Sequence, residues 1–193
     1  MKDIVDDIKL KLSIQAHYNV FPFINDPNLS FCYFTFNNNP EISTFFLDSI
    51  EWPENIKNSL NKRKLEFLLG RCCAYEALFN LGNNADFLAR TKDGVPIWPD
   101  GFVGSISHTH GEILALATNQ QHYLAVGIDI EKIICEQDAF GLINLVLNSD
   151  EKKLILGMDV QEMLIVITLI FSAKESFYKL INKASEIVLD FNV

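Results

Sequence analysis

Val126-Gly-Ile-Asp-Ile-Glu131 alternates apolar and acidic residues. In an extended chain successive side chains point to opposite sides. The spacing therefore predicts a strand over 123–130, with Asp129 and Glu131 sharing one face and Ile128 and Ile130 the other. Two carboxylates on one face repel each other unless a cation or protons offset the charge. Hard divalent cations such as Mg²⁺ take oxygen ligands of this kind, with substrate phosphates commonly completing the shell. Taken alone, the stretch also fits an exposed edge with two solvated acids. What decides is which side chains the rest of the chain supplies.

Composition narrows the classes. The chain has 193 residues, of which 49% are hydrophobic and 21% charged, enough for a packed core in one large domain or two small ones. Its net charge of −9 lacks the basic footprint of a general nucleic-acid binder. Cys32, Cys72, Cys73 and Cys135 form no C-x-x-C pair, so reduced thiols are expected rather than zinc ligands or disulfides. Met1–Ser13 has the charged, amphipathic character of a surface helix and lacks the apolar stretch of a secretory leader. The longest apolar run, Met163–Phe171 with Thr168 inside it, is too short to span a bilayer. A cytoplasmic location is expected.

Periodicity outlines the rest. Residues 3–14 read as a surface helix, His17 and Tyr18 as loop, Leu29–Phe36 as a strand and Asn37-Asn-Asn-Pro40 as a turn. A long helix is predicted from about Asn55 to Asn80, closed by Gly82. It carries Arg63 and Arg71, about 80° apart around the axis, so both can face one groove. Gly70 in its interior points to close packing. Arg90 and Lys92 lie in a turn-rich stretch that includes Asp93-Gly94. Two strands, Phe102–His108 and Ile113–Thr118, are joined at Thr109-His-Gly111, with Ser105, Ser107 and His108 clustered at the first strand's end. His108 and His110 find no third nitrogen or sulfur ligand at zinc-like spacing. Helices follow at Ala139–Leu147 and from Ser149, expected to be the cap. After a break at Gly157, a helix over 161–181 has a first half apolar nearly all round and expected to be buried. Glu175 and Lys179 share one face of its second half. Ile187–Val193 begins a further strand.

Four blocks, in order, resemble the 4'-phosphopantetheinyl transferase superfamily. They are Arg63-Lys-Leu-Glu-Phe-Leu-Leu-Gly-Arg71 with Cys73-Ala74, Trp98–His108, Val126–Glu131, and Phe171-Ser-Ala-Lys-Glu-Ser-Phe-Tyr-Lys179. The most similar subgroup is the enterobactin synthetase component D and surfactin type. The resemblance implies an α+β fold, a pseudo-twofold pair of α+β halves at 1–120 and 121–193; the sequence departs from the family's pattern in a second half expected to be short at its C-terminus. It implies transfer of the phosphopantetheine arm of coenzyme A to a serine of an acyl or peptidyl carrier protein, releasing 3',5'-ADP, in siderophore, nonribosomal peptide or polyketide synthesis. Asp129, Glu131 and Glu175 are the implied Mg²⁺ ligands. Glu175 is also the base toward the carrier serine, and Lys179 stabilises the leaving phosphate. Arg63, Arg71, Arg90 and His108 are implied phosphate-binding positions, with Ser107 a further contact. The implied partners are coenzyme A and an apo carrier protein, with no nucleic acid and no membrane span, and the enzyme is expected to be a monomer. Two rivals stand beside this reading. One is a scaffold or coenzyme A-binding protein of the same fold with impaired catalysis. The other is a Mg²⁺-dependent hydrolase of nucleotide diphosphates.

The chemistry is coherent with these residue types. Phosphoryl-type transfer is mostly positioning and charge stabilisation. Arginine forks suit the phosphates of coenzyme A, and His108 could be cationic beside them. Carrier proteins are usually acidic, so a protein at −9 must dock them through apolar contacts or a local basic patch rather than global attraction.

Overall fold

The computed structural model describes residues 2–12, 14–18, 25–36, 52–84, 88–91 and 94–184. The expected turn at Asn37–Pro40, Lys92 and Asp93, and the strand from Ile187 lie outside them.

Helix α1 (Lys2–Lys11) matches its periodicity and buries Val5 and Ile8. Gln15–Tyr18 forms a short strand, β1, where a loop was expected. Four residues carry too little pattern to predict; the partner strand β2 (Leu29–Thr35) supplies the pairing, with Ala16 opposite Phe34. Strands β3 (Phe102–Thr109) and β4 (Glu112–Asn119) complete an antiparallel sheet of order β1-β2-β4-β3. His110 (φ 25°) and Gly111 (φ 90°) form the two-residue turn between β3 and β4, a positive-φ pair that matches the right-handed twist of a hairpin.

The expected helix over 55–80 divides into α2 (Glu54–Lys57) and α3 (Asn61–Asn80). Apolar spacing continues through Ile56 and Leu60, so the pattern hides the break. Gly82, at φ 80°, ends α3: its N–H donates to the Phe79 carbonyl at 2.9 Å and that of Asn83 to Leu78 at 3.0 Å. This left-handed cap satisfies carbonyls that the helix leaves open.

α3 covers one face of the sheet. Leu65, Leu69, Cys72 and Cys73 pack there on Cys32, Phe34, Ile113 and Ala115. A Cβ at Gly70 would stand 3.3 Å from Ile106, the close approach anticipated from sequence. α1 packs on α3 too, pinned by Lys2 (3.0 Å) and Lys9 (2.5 Å) on Glu76, whose side chain is 2% exposed. Burial alone would raise this carboxyl; the two lysines outweigh it and hold it below its ordinary value.

The opposite face of the sheet, with Phe31, Val103, Leu114 and Leu116, is covered by Val126 with Ile128 and Ile130. Residues 125–135 form no strand, helix or turn, which corrects the strand expected over 123–130; the amides of Ile128 and Ile130, two residues apart, face the sheet as they would in an extended chain. Alternation predicts an extended chain with two faces; it does not say that a neighbour offers backbone for a ladder. Beyond lie α4 (Glu136–Val146), α5 (Ser149–Leu154) and α6 (Val160–Ala184). Asn148, not Ser149, caps α5, and Glu151 completes the capping box. Ala139, Val146, Leu147, Leu164 and Ile167 form a second core. The first half of α6 is not buried all round. Ile165 is 42% and Leu169 62% exposed, because α6 turns only one stripe toward α4. The class is α+β. Among the described residues of 121–184 the regular elements are all helical.

Candidate active site

β3 is one of the two edge strands of the sheet among the described residues, so groups on its two faces meet at one rim. On the face away from α3, Ser105, Ser107 and Thr109 recur at every second residue, all buried. They hold the extended segment. The Ile128 N–H donates to Ser105 Oγ at 3.1 Å and the Ile130 N–H to Ser107 Oγ at 3.3 Å. From the other side α6 presses close. A Cβ on Gly127 would lie 2.0 Å from the Ser176 carbonyl oxygen and 2.9 Å from the Leu180 nitrogen. Only glycine lets the segment pass between sheet and helix.

Asp129 sits at this seam with its side chain 3% exposed. Its Oδ1 accepts from Ser107 Oγ at 2.7 Å and from Lys179 Nζ at 2.6 Å. Lys179 also donates to Ser107 Oγ at 2.9 Å. Asp129 Oδ2 is buried with no hydrogen-bond partner among the described residues. Thr109 Oγ1 donates to Glu131 at 3.5 Å. Glu131 and Glu175 are both pushed above the ordinary carboxylate range, first by burial and further by the negative charge of Asp129. Lys179 pulls both back only in part.

The three carboxylates are thus within electrostatic reach of one another, though among the described residues no three acidic, histidine or cysteine side chains converge closely enough to enclose an ion. Their chemistry fits a hard divalent cation. All donors are oxygens, they repel one another, and Asp129 Oδ2 is an orphaned buried acceptor. Lys179 offsets part of that repulsion.

The basic side lies on the face of β3 toward α3. Arg63 Nη1 is 2.9 Å from His108 Nε2. Glu66, three residues on, lies 3.6 Å from Arg63 and 3.7 Å from His108 Nδ1. Arg71 is 8% exposed, donates from Nε to the Leu88 carbonyl at 3.2 Å, and stacks its guanidinium 4.4 Å from the centre of the Phe67 ring. Arg90 lies 5.6 Å from the same ring. Its side chain runs over Gly94, where a Cβ would stand 2.1 Å from the guanidinium. Arg71 Nη2 and Arg90 Nε are buried without hydrogen-bond partners among the described residues. Burial, then Arg90 and Arg63, push Arg71 down to about 10. Like charges gathered with open donors make a site for an anion.

His108 is held below its ordinary value, chiefly by burial; Glu66 pulls it up, while Arg63 and Lys179 push it further down. In the ligand-free protein these effects favour the neutral ring; the cationic form considered from sequence belongs to a ring beside bound phosphates. Ser107 and His108, neighbours on β3, meet Lys179 on one face and Arg63 on the other, so the acidic and basic sides flank the same end of the strand.

The structure brings Asp129, Lys179 and Ser107 together at the seam and sets Arg63 against His108; Arg71 and Arg90 gather on Phe67, and Glu131 and Glu175 lie within electrostatic reach of Asp129. Lys179 is directed to Asp129 and Ser107 across the seam. Ser107, expected as a ligand contact, is the hub that joins Asp129, Lys179 and the Ile130 amide. Phe67 and Glu66 were not foreseen. The signal for Phe67 was present: Arg63, Phe67 and Arg71 are spaced by four and share one helix face.

The 4'-phosphopantetheinyl transferase N-terminal domain matches residues 52–118, and the 4'-phosphopantetheinyl transferase superfamily matches 125–193. Enterobactin synthase component D of Salmonella typhimurium is 39% identical over 131 residues, 65% of this chain and 51% of that protein. The 4'-phosphopantetheinyl transferase Npt of Nocardia iowensis is 31% identical, covering 67% of this chain and 61% of its own length. The transferase Svp of Streptomyces mobaraensis is 32% identical, covering 75% and 59%. The chain spans between one half and two thirds of the length of these relatives.

Proposed function

The chain belongs to the 4'-phosphopantetheinyl transferase superfamily, and from that membership together with the geometry of the rim we propose that it transfers the 4'-phosphopantetheine group of coenzyme A to a serine of an acyl or peptidyl carrier protein. The observation that carries this reading is the pairing of opposite open valences along one strand edge. Arg71 Nη2 and Arg90 Nε lack partners on one side and Asp129 Oδ2 on the other. A diphosphate ester with a bound cation satisfies both.

Arg63, Arg71, Arg90 and His108 hold the phosphates of coenzyme A, with Phe67 fixing the Arg71 plane. Asp129, Glu131 and Glu175 hold Mg²⁺, which when bound neutralises charge on the diphosphate oxygens. Glu175 takes the proton from the carrier serine as its oxygen attacks the phosphorus, a task suited to a carboxylate whose affinity for protons is raised. Lys179 stabilises the charge that gathers on the departing 3',5'-ADP. Siderophore synthesis is the pathway suggested by the relatives named enterobactin synthase component D.

Purified protein, coenzyme A, Mg²⁺ and an apo carrier domain, read by intact mass, test the reading. A gain of about 340 Da on the carrier, dependent on metal, supports transfer. Coenzyme A binding without any gain on several carriers supports a scaffold. Cleavage of the diphosphate without carrier supports a hydrolase.

A further inference from the structure

We propose that Ser105 is a positioning residue for the cation-binding segment, an inference that rests on the transferase reading above. Its hydroxyl is 6% exposed and accepts the Ile128 N–H at 3.1 Å. Ser107 accepts the Ile130 N–H two residues further on. The spacing of hydroxyls on β3 thus matches the spacing of amides in the segment. A paired strand would find backbone carbonyls at its flank. This segment lies across a sheet face, where carbonyls do not point, and serine hydroxyls take their place.

The two clasps bracket Asp129. Between fixed amides at 128 and 130, its carboxylate has one way down to Ser107 and Lys179. A slip of one residue would bring Ile128 or Ile130 to that position. Gly127 leaves no slack on the far side, where α6 backbone begins. Ser107 is itself bonded to Asp129. Ser105 fixes the register while touching none of the three carboxylates.

Three variants separate the hydroxyl from packing: Ser105→Ala, Ser105→Thr, which keeps the hydroxyl, and Ser105→Val, which has the shape of threonine without it. Mn²⁺ is titrated into each protein with coenzyme A present, following the free-ion electron paramagnetic resonance signal. Amide hydrogen exchange at Ile128 is read in the metal-free proteins. Ser105→Ala and Ser105→Val are expected to bind Mn²⁺ about fivefold or more weakly and to lose protection at Ile128, as loss of one buried hydrogen bond implies. Ser105→Thr is expected to stay within about twofold of the parent on the same scale. Equal behaviour of the threonine and valine variants, in both measurements, overturns the inference even where the alanine variant fails to fold. A parent protein that takes up no Mn²⁺ removes the cation-dependent transferase reading instead, and the exchange comparison then decides Ser105 by itself.

Discussion

Lys179 Nζ lies 2.6 Å from Asp129 Oδ1 and so ties α6 to the extended segment that crosses the sheet. The carboxylate is 3% exposed and the lysine side chain 27%. In metal-free protein Lys179→Met therefore strands a buried charge and is expected to destabilise the fold by about 3 kcal/mol. Adding Asp129→Asn should restore most of this, since no charge then remains to strand. Urea denaturation in a chelator reads both; a single variant as stable as the parent would contradict the pairing.

Glu175→Gln is expected to lower carrier modification by a factor of 10² or more, on the order of a lost general base. Retained near-normal rates would remove Glu175 from that role. Its stability effect has the opposite sign. A carboxyl whose folded value is raised disfavours the fold when ionised; the effect is absent below its ordinary value of 4.5 and complete above the raised one. Metal-free Glu175→Gln should therefore melt higher than the parent at about pH 7.5 and together with it at about pH 4. A lower melting temperature at the higher pH would mean that the ionised carboxylate is favourably paired.

Two glycines should behave differently. Gly127→Ala drives a Cβ into α6 backbone, 2.0 Å from the Ser176 oxygen, and is expected to cost about 3 kcal/mol and to abolish transfer. Gly82→Ala meets nothing within 4 Å and strains only its φ of 80°, so about 1 kcal/mol and unchanged carrier modification are expected. Thermal denaturation and the mass assay distinguish them, and equal costs would refute the seam geometry.

Arg71→Met removes a guanidinium disfavoured by burial and by Arg90 and Arg63. The ligand-free protein is expected to gain about 1 kcal/mol. Coenzyme A binding, followed by calorimetry, is expected to weaken by about tenfold or more, as loss of a charge-assisted contact implies. A variant that both loses stability and keeps affinity would show that Arg71 serves packing alone.

The sequence was most legible where pattern and chemistry coincide. The helix carrying Arg63 and Arg71, the β3–β4 hairpin, the cap at Gly82 and the Gly70 contact follow from local rules that hold in any context. The first half of α6 is less buried than its apolar run suggests, because such a run shows what can be buried while the neighbours decide what is; Leu169 at 62% exposure is the result. Glu76 gave no signal at all, since its partners Lys2 and Lys9 lie more than sixty residues away in the chain.

The chain's own order of residues determined that Asp129 and Glu131 would alternate with isoleucines, that Glu175 and Lys179 would share a helix face, and that the arginines would line another. Tertiary structure decided how these meet. The segment 126–131 is held on a sheet face by serine hydroxyls, because β3 turns Ser105 and Ser107 toward it and α6 leaves room only for Gly127. Lys179 then reaches Asp129 across that seam. Local periodicity fixes which way a side chain points from its own element; only packing between elements fixes what it finds there.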